Sequence, residues 1–217
     1  MTTTPAVPVP RTLIDVLPSP SHEVGRLARD GVLVAGFAVL TALFAQIRID
    51  LGFTPVPITG QTFAVLLAGA ALGWRRGALS QVVYWVAGIF MPVAWYARNS
   101  AGKANGWSVA TGSTAGYFVG FIVAAALVGY LAERKQDRDF VTSVPAMLAG
   151  TAVIYACGVL WLAHWLNVPV SPSVGDEGMN AISLGLTPFL VGDTIKLLLA
   201  GALTPLAWTA VERFSPR

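Results

Sequence analysis

Two oppositely charged residues lie three positions apart in an otherwise apolar stretch near the C-terminal end of the chain. Asp193 and Lys196 belong to the run Gly-Asp-Thr-Ile-Lys, which has hydrophobic residues on both sides. Residues three apart on an α-helix project from the same face, so both charged groups would face one partner. A charge inside a membrane-spanning helix costs about 2.5–3.5 kcal/mol on insertion scales, and such residues usually serve a function. The pair is therefore predicted to bind a polar ligand. A structural ion pair that neutralises itself is the alternative.

The composition places these charges in a membrane protein. Hydrophobic residues make up 55% of the 217 residues and charged residues only 12%, whereas soluble domains carry about 25% charged residues. The net charge of +3 comes from scattered basic residues. They form no basic stripe of the kind that binds a phosphate backbone, which argues against a nucleic-acid-binding protein.

Six apolar segments approach the length of about 20 residues that a membrane-spanning helix needs. They are residues 31–49, 58–74, 77–96, 114–132, 144–166 and 187–211. The sequence therefore predicts an all-α integral membrane protein with six transmembrane helices in one domain, residues 31–217. Residues 1–30 form a polar leader, of which the proline-rich residues 1–20 are predicted to be mostly disordered.

The basic residues between these segments predict the orientation of the chain. Ten of the 14 basic residues fall on the side that carries both termini, three fall on the other side, and Lys196 lies within the sixth segment. Cytoplasmic loops carry the excess of Lys and Arg. Both termini are therefore predicted to be cytoplasmic, with the loops 93–113 and 167–182 outside. Asp193 and Lys196 then lie in the outer half of the membrane.

Motifs for catalysis, metal binding and nucleotide binding are missing from the sequence. There is no Gly-x-x-x-x-Gly-Lys-Ser/Thr loop, no His-Glu-x-x-His and no Gly-x-Ser-x-Gly, so neither ATP binding nor hydrolysis has its usual residues. The chain holds two widely separated histidines and one cysteine, Cys157, which predicts no metal site. We expect a protein that is not an enzyme and that carries no cofactor.

Two further features concern ligand and partner binding. Gln61 stands at the predicted outer end of the second segment, where its amide could donate to and accept from a ligand or cap the helix. Ala38 and Ala42 form a small-xxx-small pair in the first segment. Such a pair allows a second helix to approach closely, whether that helix belongs to a partner or to this chain.

Four stretches closely resemble the BioY family, the biotin-specific substrate-capture component of energy-coupling-factor (ECF) transporters. They are PVPITGQTFAVLLAGAALG at 55–73, RGALS at 76–80, TAGYFVGF at 114–121 and GDTIK at 192–196. The resemblance runs in family order from about residue 31 to the C-terminus. It implies a six-helix protein in the cell membrane that binds biotin from outside. It also implies docking on a transmembrane coupling protein driven by two ATPase subunits, which we assign to the face with Ala38 and Ala42.

The resemblance also implies which residues bind biotin. Asp193 and Lys196 match the acid and the lysine of the family's Gly-Asp-x-x-Lys motif, and Gln61 and Tyr117 occupy matching motif positions. A loop asparagine is also expected, for which Asn99 and Asn105 are both candidates. Asp193 would accept the ureido N–H groups of biotin. Lys196 would donate either to the ureido oxygen or to the carboxylate at the far end of the molecule.

Two other functions are compatible with the same residues. The chain could capture another vitamin, which a panel of ligands would reveal. It could also be an autonomous proton-coupled transporter in which Asp193 relays the proton, and such a protein would work in cells that lack a coupling ATPase.

Overall fold

The computed structural model describes residues 11–96, 106–172 and 178–214, and this part of the chain is mostly helical. In chain order its elements are α1 (Glu23–Ala45), β1 (Arg48–Ile49), β2 (Ile58–Thr59), α2 (Gln61–Leu72), α3 (Trp74–Phe90), α4 (Gly106–Ala110), α5 (Ala115–Ala132), α6 (Phe140–Leu166), α7 (Ala181–Gly185) and α8 (Leu190–Phe214). Short 3-10 helices occur at Leu13–Val16, Val93–Tyr96 and Thr187–Phe189. The six longer helices confirm the predicted all-α bundle.

Not all six helices are long enough to cross a bilayer unaided. Within the described residues, four helical stretches have the length and hydropathy for it, namely α1, α5, α6 and the run Ala181–Arg213. Helix α2 has only 12 residues, because Ile58 and Thr59 pair with β1 as a two-stranded antiparallel sheet instead of extending the helix. Helix α3 has 17 residues. The predicted segment 58–74 thus contains the shortest of the six longer helices.

The first helix begins and ends earlier than the sequence predicts. It begins at Glu23 rather than at residue 31, and it ends at Ala45 because Arg48 and Ile49 enter the sheet. The described part of the leader contacts the helical bundle. Arg76 donates to Asp15 at 2.7 Å and to Asp30 at 3.2 Å. These ion pairs hold the leader against the α2–α3 turn, and residues 1–10 lie outside the described part.

Helix α5 is the centre of the bundle, where it contacts α2, α3 and α6. Two of its three glycines, Gly116 and Gly120, lie against α6. A Cβ atom at Gly116 would approach the Cys157 carbonyl oxygen to 2.5 Å, and one at Gly120 would approach the Ile154 Cα to 2.9 Å. Such close contact requires glycine. The small residues of α5 thus let two membrane helices pack backbone against backbone.

The prediction that Ala38 and Ala42 form a docking face is wrong for this structure. Ala38 is 1% exposed and Ala42 is 7% exposed, and both belong to the main hydrophobic core. Helix α1 packs on α2 and α3, and the alanine side chains allow this close packing within the chain. The small-xxx-small pair therefore serves internal packing, the alternative that the sequence left open.

Candidate ligand-binding site

A cavity of about 320 Å³ lies at the end of the bundle where α2, α5 and α8 begin. The β1–β2 hairpin, α4 and the second half of α6 contribute the rest of its wall. Its lining combines polar groups with aromatic and aliphatic side chains, among them Arg48, Val56, Thr59, Gln61, Thr62, Tyr96, Ser108, Tyr117, Phe118, Phe121, Ile154, Tyr155 and Asp193. Mostly apolar walls with a few converging polar groups are typical of small-molecule sites.

Asp193 is the acidic group of this cavity. Its side chain is 8% exposed and is held by three donors from three helices. The Tyr155 hydroxyl donates to Oδ2 at 2.6 Å, while Lys196 Nζ at 2.5 Å and the Thr62 hydroxyl at 3.1 Å donate to Oδ1. A buried carboxylate is tolerated when it is paired and hydrogen-bonded in this way. These bonds also fix its orientation.

Lys196 lies behind Asp193 and is not among the residues that line the cavity. Its ammonium group donates to Asp193 and, at 2.6 Å, to the backbone carbonyl of Thr59 just before α2. As predicted, Asp193 and Lys196 project from the same face of the helix, and their charged groups contact each other directly. The lysine also ties α8 to the β2–α2 junction, a contact between residues 137 positions apart in sequence.

Gln61 lies on the cavity wall at the first position of α2. Its amide Nε2 donates to the Tyr84 hydroxyl at 2.5 Å, and its Oε1 accepts from the Thr59 hydroxyl at 2.6 Å. An amide has two N–H donors and two oxygen lone pairs. One donor and one lone pair are therefore available for a ligand after these two bonds.

Tyr117 also reaches the cavity, from the first turn of α5. Its hydroxyl donates to the backbone carbonyl of Gly185 at 2.6 Å, and its ring lies directly over Gly158, where a Cβ atom would be 2.3 Å from the ring. The ring is thus held rigidly between α6 and α7. The two candidate asparagines, Asn99 and Asn105, lie outside the described residues.

The structure adds site residues that sequence reasoning missed. Tyr155 lies in the middle of an apolar segment, and a tyrosine hydroxyl there must find a hydrogen-bond partner. That signal was available in the sequence. Its partner, Asp193, is 38 positions away and could not be named. Thr62 and Arg48 gave no comparable signal, because polar residues near the ends of apolar segments are common.

The arrangement is suited to binding rather than to catalysis. A carboxylate offers about four lone-pair positions, and the three bonds to Asp193 leave one of them, on Oδ2, for a ligand N–H. No group of three or more His, Cys, Asp or Glu side chains that could hold a metal ion occurs among residues 11–96, 106–172 and 178–214. The site therefore presents one fixed anion, amide and hydroxyl groups and aromatic walls.

A family model described as "BioY family" matches residues 15–213. The chain belongs to the BioY family. It is 36% identical over 184 residues to the biotin transporter BioY of Rhizobium etli, covering 81% of this chain and 90% of that protein. The BioY protein of Thermotoga maritima is 35% identical, with 77% and 88% covered. The probable biotin transporter BioY of Pyrococcus horikoshii is 37% identical, with 78% and 90% covered.

A solved structure supports the fold assignment. It is described as the S-component for biotin from an ECF-type ABC transporter, and it superposes with a TM-score of 0.70 at 20% identity, covering 87% of this chain and 95% of that one. This similarity confirms the predicted architecture of a BioY-type bundle. Family membership likewise confirms that the chain is a membrane transport component rather than an enzyme.

Proposed function

We propose that this chain captures biotin as the substrate-binding component of an ECF-type transporter in the cell membrane. The observation that carries the proposal is the Asp193 carboxylate, buried at the wall of a 320 Å³ cavity with one acceptor position unused. That volume lies at the lower end of the range for small-molecule sites. The names of the BioY relatives support biotin as the ligand.

The chemistry of biotin fits this wall. Its ureido group carries two N–H donors and one carbonyl oxygen. Asp193 accepts one N–H in a charge-assisted bond, the strong kind of hydrogen bond, and the unused N–H of Gln61 donates to the carbonyl oxygen. The fused ring and aliphatic chain of biotin pack on Tyr117 and Phe121. Asn99 and Asn105 remain candidates for a further polar contact.

Lys196 acts through Asp193 in this proposal. Its ammonium group is bonded to Asp193 and to the Thr59 carbonyl, so direct donation to the ureido oxygen would require it to leave Thr59. We therefore assign it a positioning role: it neutralises the buried carboxylate and holds it against the cavity.

Equilibrium binding of radiolabelled biotin to the purified chain tests the function. We expect saturable binding that unlabelled biotin abolishes and that thiamine and pantothenate, which lack the ureido group, leave unchanged. Saturable binding of another labelled vitamin, with no saturable binding of labelled biotin, would assign the site to that vitamin. Biotin uptake in cells without any coupling ATPase would instead favour the autonomous proton-coupled transporter.

The partners in this proposal are a transmembrane coupling protein and its ATPase subunits. The chain's lack of a nucleotide-binding motif supports such a division of labour. Because Ala38 and Ala42 are buried, we assign docking to the opposite, exposed face of α1. There a Cβ atom at Gly36 would meet nothing within 4 Å, and small residues allow close helix approach.

Copurification with the coupling protein tests this face. We expect Gly36→Trp to weaken assembly and to leave biotin binding by the isolated chain unchanged. Val119→Trp is the matched control, because Val119 is an exposed apolar residue on α5. Equal assembly of both variants would contradict docking through α1.

A further inference from the structure

Arg48 brings a positive charge to the same cavity as Asp193. It lies on β1, directly opposite Thr59 of β2, and its side chain is only 14% exposed. Among the described residues that line the cavity, it is the only one with a cationic side chain. The cavity thus has an anion on α8 and a cation on the hairpin.

The partner of Arg48 in the structure is Asp50, two residues further along the chain. The Arg48 Nε and Nη2 atoms lie 2.9 Å and 2.6 Å from a single oxygen, Asp50 Oδ1. The Asp50 side chain is 42% exposed. Ion pairs with an exposed partner contribute about 0–1 kcal/mol, so a better-placed carboxylate can displace Asp50 at little cost.

We propose that Arg48 binds the carboxylate of the ligand, and that Asp50 occupies the guanidinium only while the site is empty. This inference rests on the proposed function. Biotin carries its carboxylate at the opposite end of the molecule from the ureido group, so a ureido group at Asp193 directs the carboxylate away from α8. A guanidinium matches a carboxylate with two parallel N–H···O bonds.

Lys196, the other cation considered for this role, is already engaged. Its ammonium group is bonded to Asp193 and to the Thr59 carbonyl and does not line the cavity. A ligand carboxylate at Lys196 would also lie beside the negative charge of Asp193, and that repulsion is unfavourable. Arg48 on the hairpin avoids both problems.

The test compares biotin with its primary amide, which keeps the ureido group and lacks the charge. Dissociation constants for both are measured on the purified full chain, for wild type, Arg48→Gln and Asp50→Asn. Hydrogen bonds to charged groups contribute about 1.5–3 kcal/mol, or about 10- to 150-fold in affinity. Wild type should therefore bind biotin about 10- to 150-fold more tightly than the amide.

The two variants test the two members of the Arg48–Asp50 ion pair separately. Arg48→Gln should lose about that factor for biotin and keep its affinity for the amide within about threefold, which also shows that the variant is folded. Asp50→Asn should bind biotin more tightly than wild type, because no carboxylate competes for the guanidinium.

Three results would overturn the inference. They are equal wild-type affinity for biotin and amide, an equal loss for both ligands in Arg48→Gln, and weaker biotin binding in Asp50→Asn. If wild type bound neither compound, the proposed function itself would be wrong and this inference would fall with it.

Discussion

At the residue scale, the site depends on how a carboxylate is kept inside a membrane bundle. Asp193 is surrounded by an ammonium group and two hydroxyl groups, from Lys196, Tyr155 and Thr62. Buried polar groups must be hydrogen-bonded, and Asp193 accepts a hydrogen bond from each of these three donors. The carboxylate therefore lies at the cavity wall with one acceptor position unused before any ligand arrives.

Neutralising this carboxylate should abolish most biotin binding. Asp193→Asn leaves Lys196 without its anion, and breaking a buried pair costs about 3–5 kcal/mol, or about 150- to 4,000-fold in affinity if the cost falls on binding. Tyr155→Phe removes one donor and should cost about tenfold. Tyr130→Phe is the control, because Tyr130 is an exposed tyrosine on α5. Isothermal titration on folded variants checks this, and unchanged affinity in Asp193→Asn would contradict the assignment.

A second buried carboxylate, Asp137, lies in the connection between α5 and α6. It is 2% exposed and accepts from the Trp208 Nε1 of α8 at 2.6 Å. Burial raises the pKa of the Asp137 carboxyl, and the bond from Trp208 and the charge of Arg138 only partly oppose this. A raised pKa means that the folded state binds the proton more tightly than the unfolded state does. This carboxyl therefore lowers stability as the pH rises through its folded pKa.

Replacing Asp137 should consequently have a pH-dependent effect. Asp137→Asn keeps an acceptor for Trp208 without the charge, so its melting temperature at pH 7 should equal or exceed that of wild type. That advantage should shrink as the pH falls toward 4. Asp137→Ala leaves the Trp208 N–H unpaired and should lose about 1–3 kcal/mol. Thermal unfolding of the three proteins between pH 4 and pH 8 checks this. A clear loss in Asp137→Asn at pH 7 would show that the charge itself stabilises the fold.

At the element scale, the most extensive helix contact among the described residues is the crossing of α5 and α6. Gly116 and Gly120 stand one turn apart on α5 and face the backbone of α6 at Cys157 and Ile154. The crossing sets where Tyr117 and Tyr155 meet the cavity. Packing and ligand binding are therefore coupled through the same helix pair.

Adding one methyl group at the α5–α6 crossing should disturb both helix packing and ligand binding. In Gly120→Ala the new Cβ would lie 2.9 Å from the Ile154 Cα, so the helices must separate. Overpacking of a core typically costs about 1–3 kcal/mol. We expect a lower melting temperature and weaker biotin binding. Gly36→Ala, where a Cβ meets nothing within 4 Å, should bind biotin like wild type and melt no lower than wild type, because alanine has the higher helix propensity. Equal melting temperatures for the two variants would mean that α5 and α6 accommodate the added methyl group without loss of stability.

At the scale of the whole molecule, the positions of the site and of the basic residues predict a direction across the membrane. The cavity lies where α2, α5 and α8 begin, while Arg76 and the ordered leader lie at the opposite end of α2. The excess of basic residues near the end that carries Arg76 and the leader predicts that this end is cytoplasmic. A ligand would thus be captured from outside.

Cysteine labelling in intact cells checks this orientation. In a Cys157→Ser background, an introduced Ser171→Cys should react with an impermeant thiol reagent, whereas Gln136→Cys should react only after permeabilisation. Both positions are exposed and lie in connections between helices. The reverse pattern would place the cavity on the cytoplasmic side.

The sequence by itself determined the class of protein, the helical bundle and the central charged residue. These follow from local quantities: apolar segments of membrane length, and the cost of a charge such as Asp193 within one. The start of α5 was predicted to within one residue, because apolar composition changes sharply at Thr114. Helix α1 was misplaced by eight residues at its start, since a polar first turn carries no hydropathy signal.

Only the tertiary structure decided which groups share the site. The partners of Asp193 come from α2 and α6 as well as α8, and contacts across 38 or 131 positions leave no local pattern. The same holds for small residues. Ala38 and Ala42 look available in sequence but are buried, because the neighbours of a helix face are set by how the helices pack and not by the face itself. Arg48 likewise lines the cavity only because β1 pairs with β2, and that pairing leaves no local pattern in the sequence.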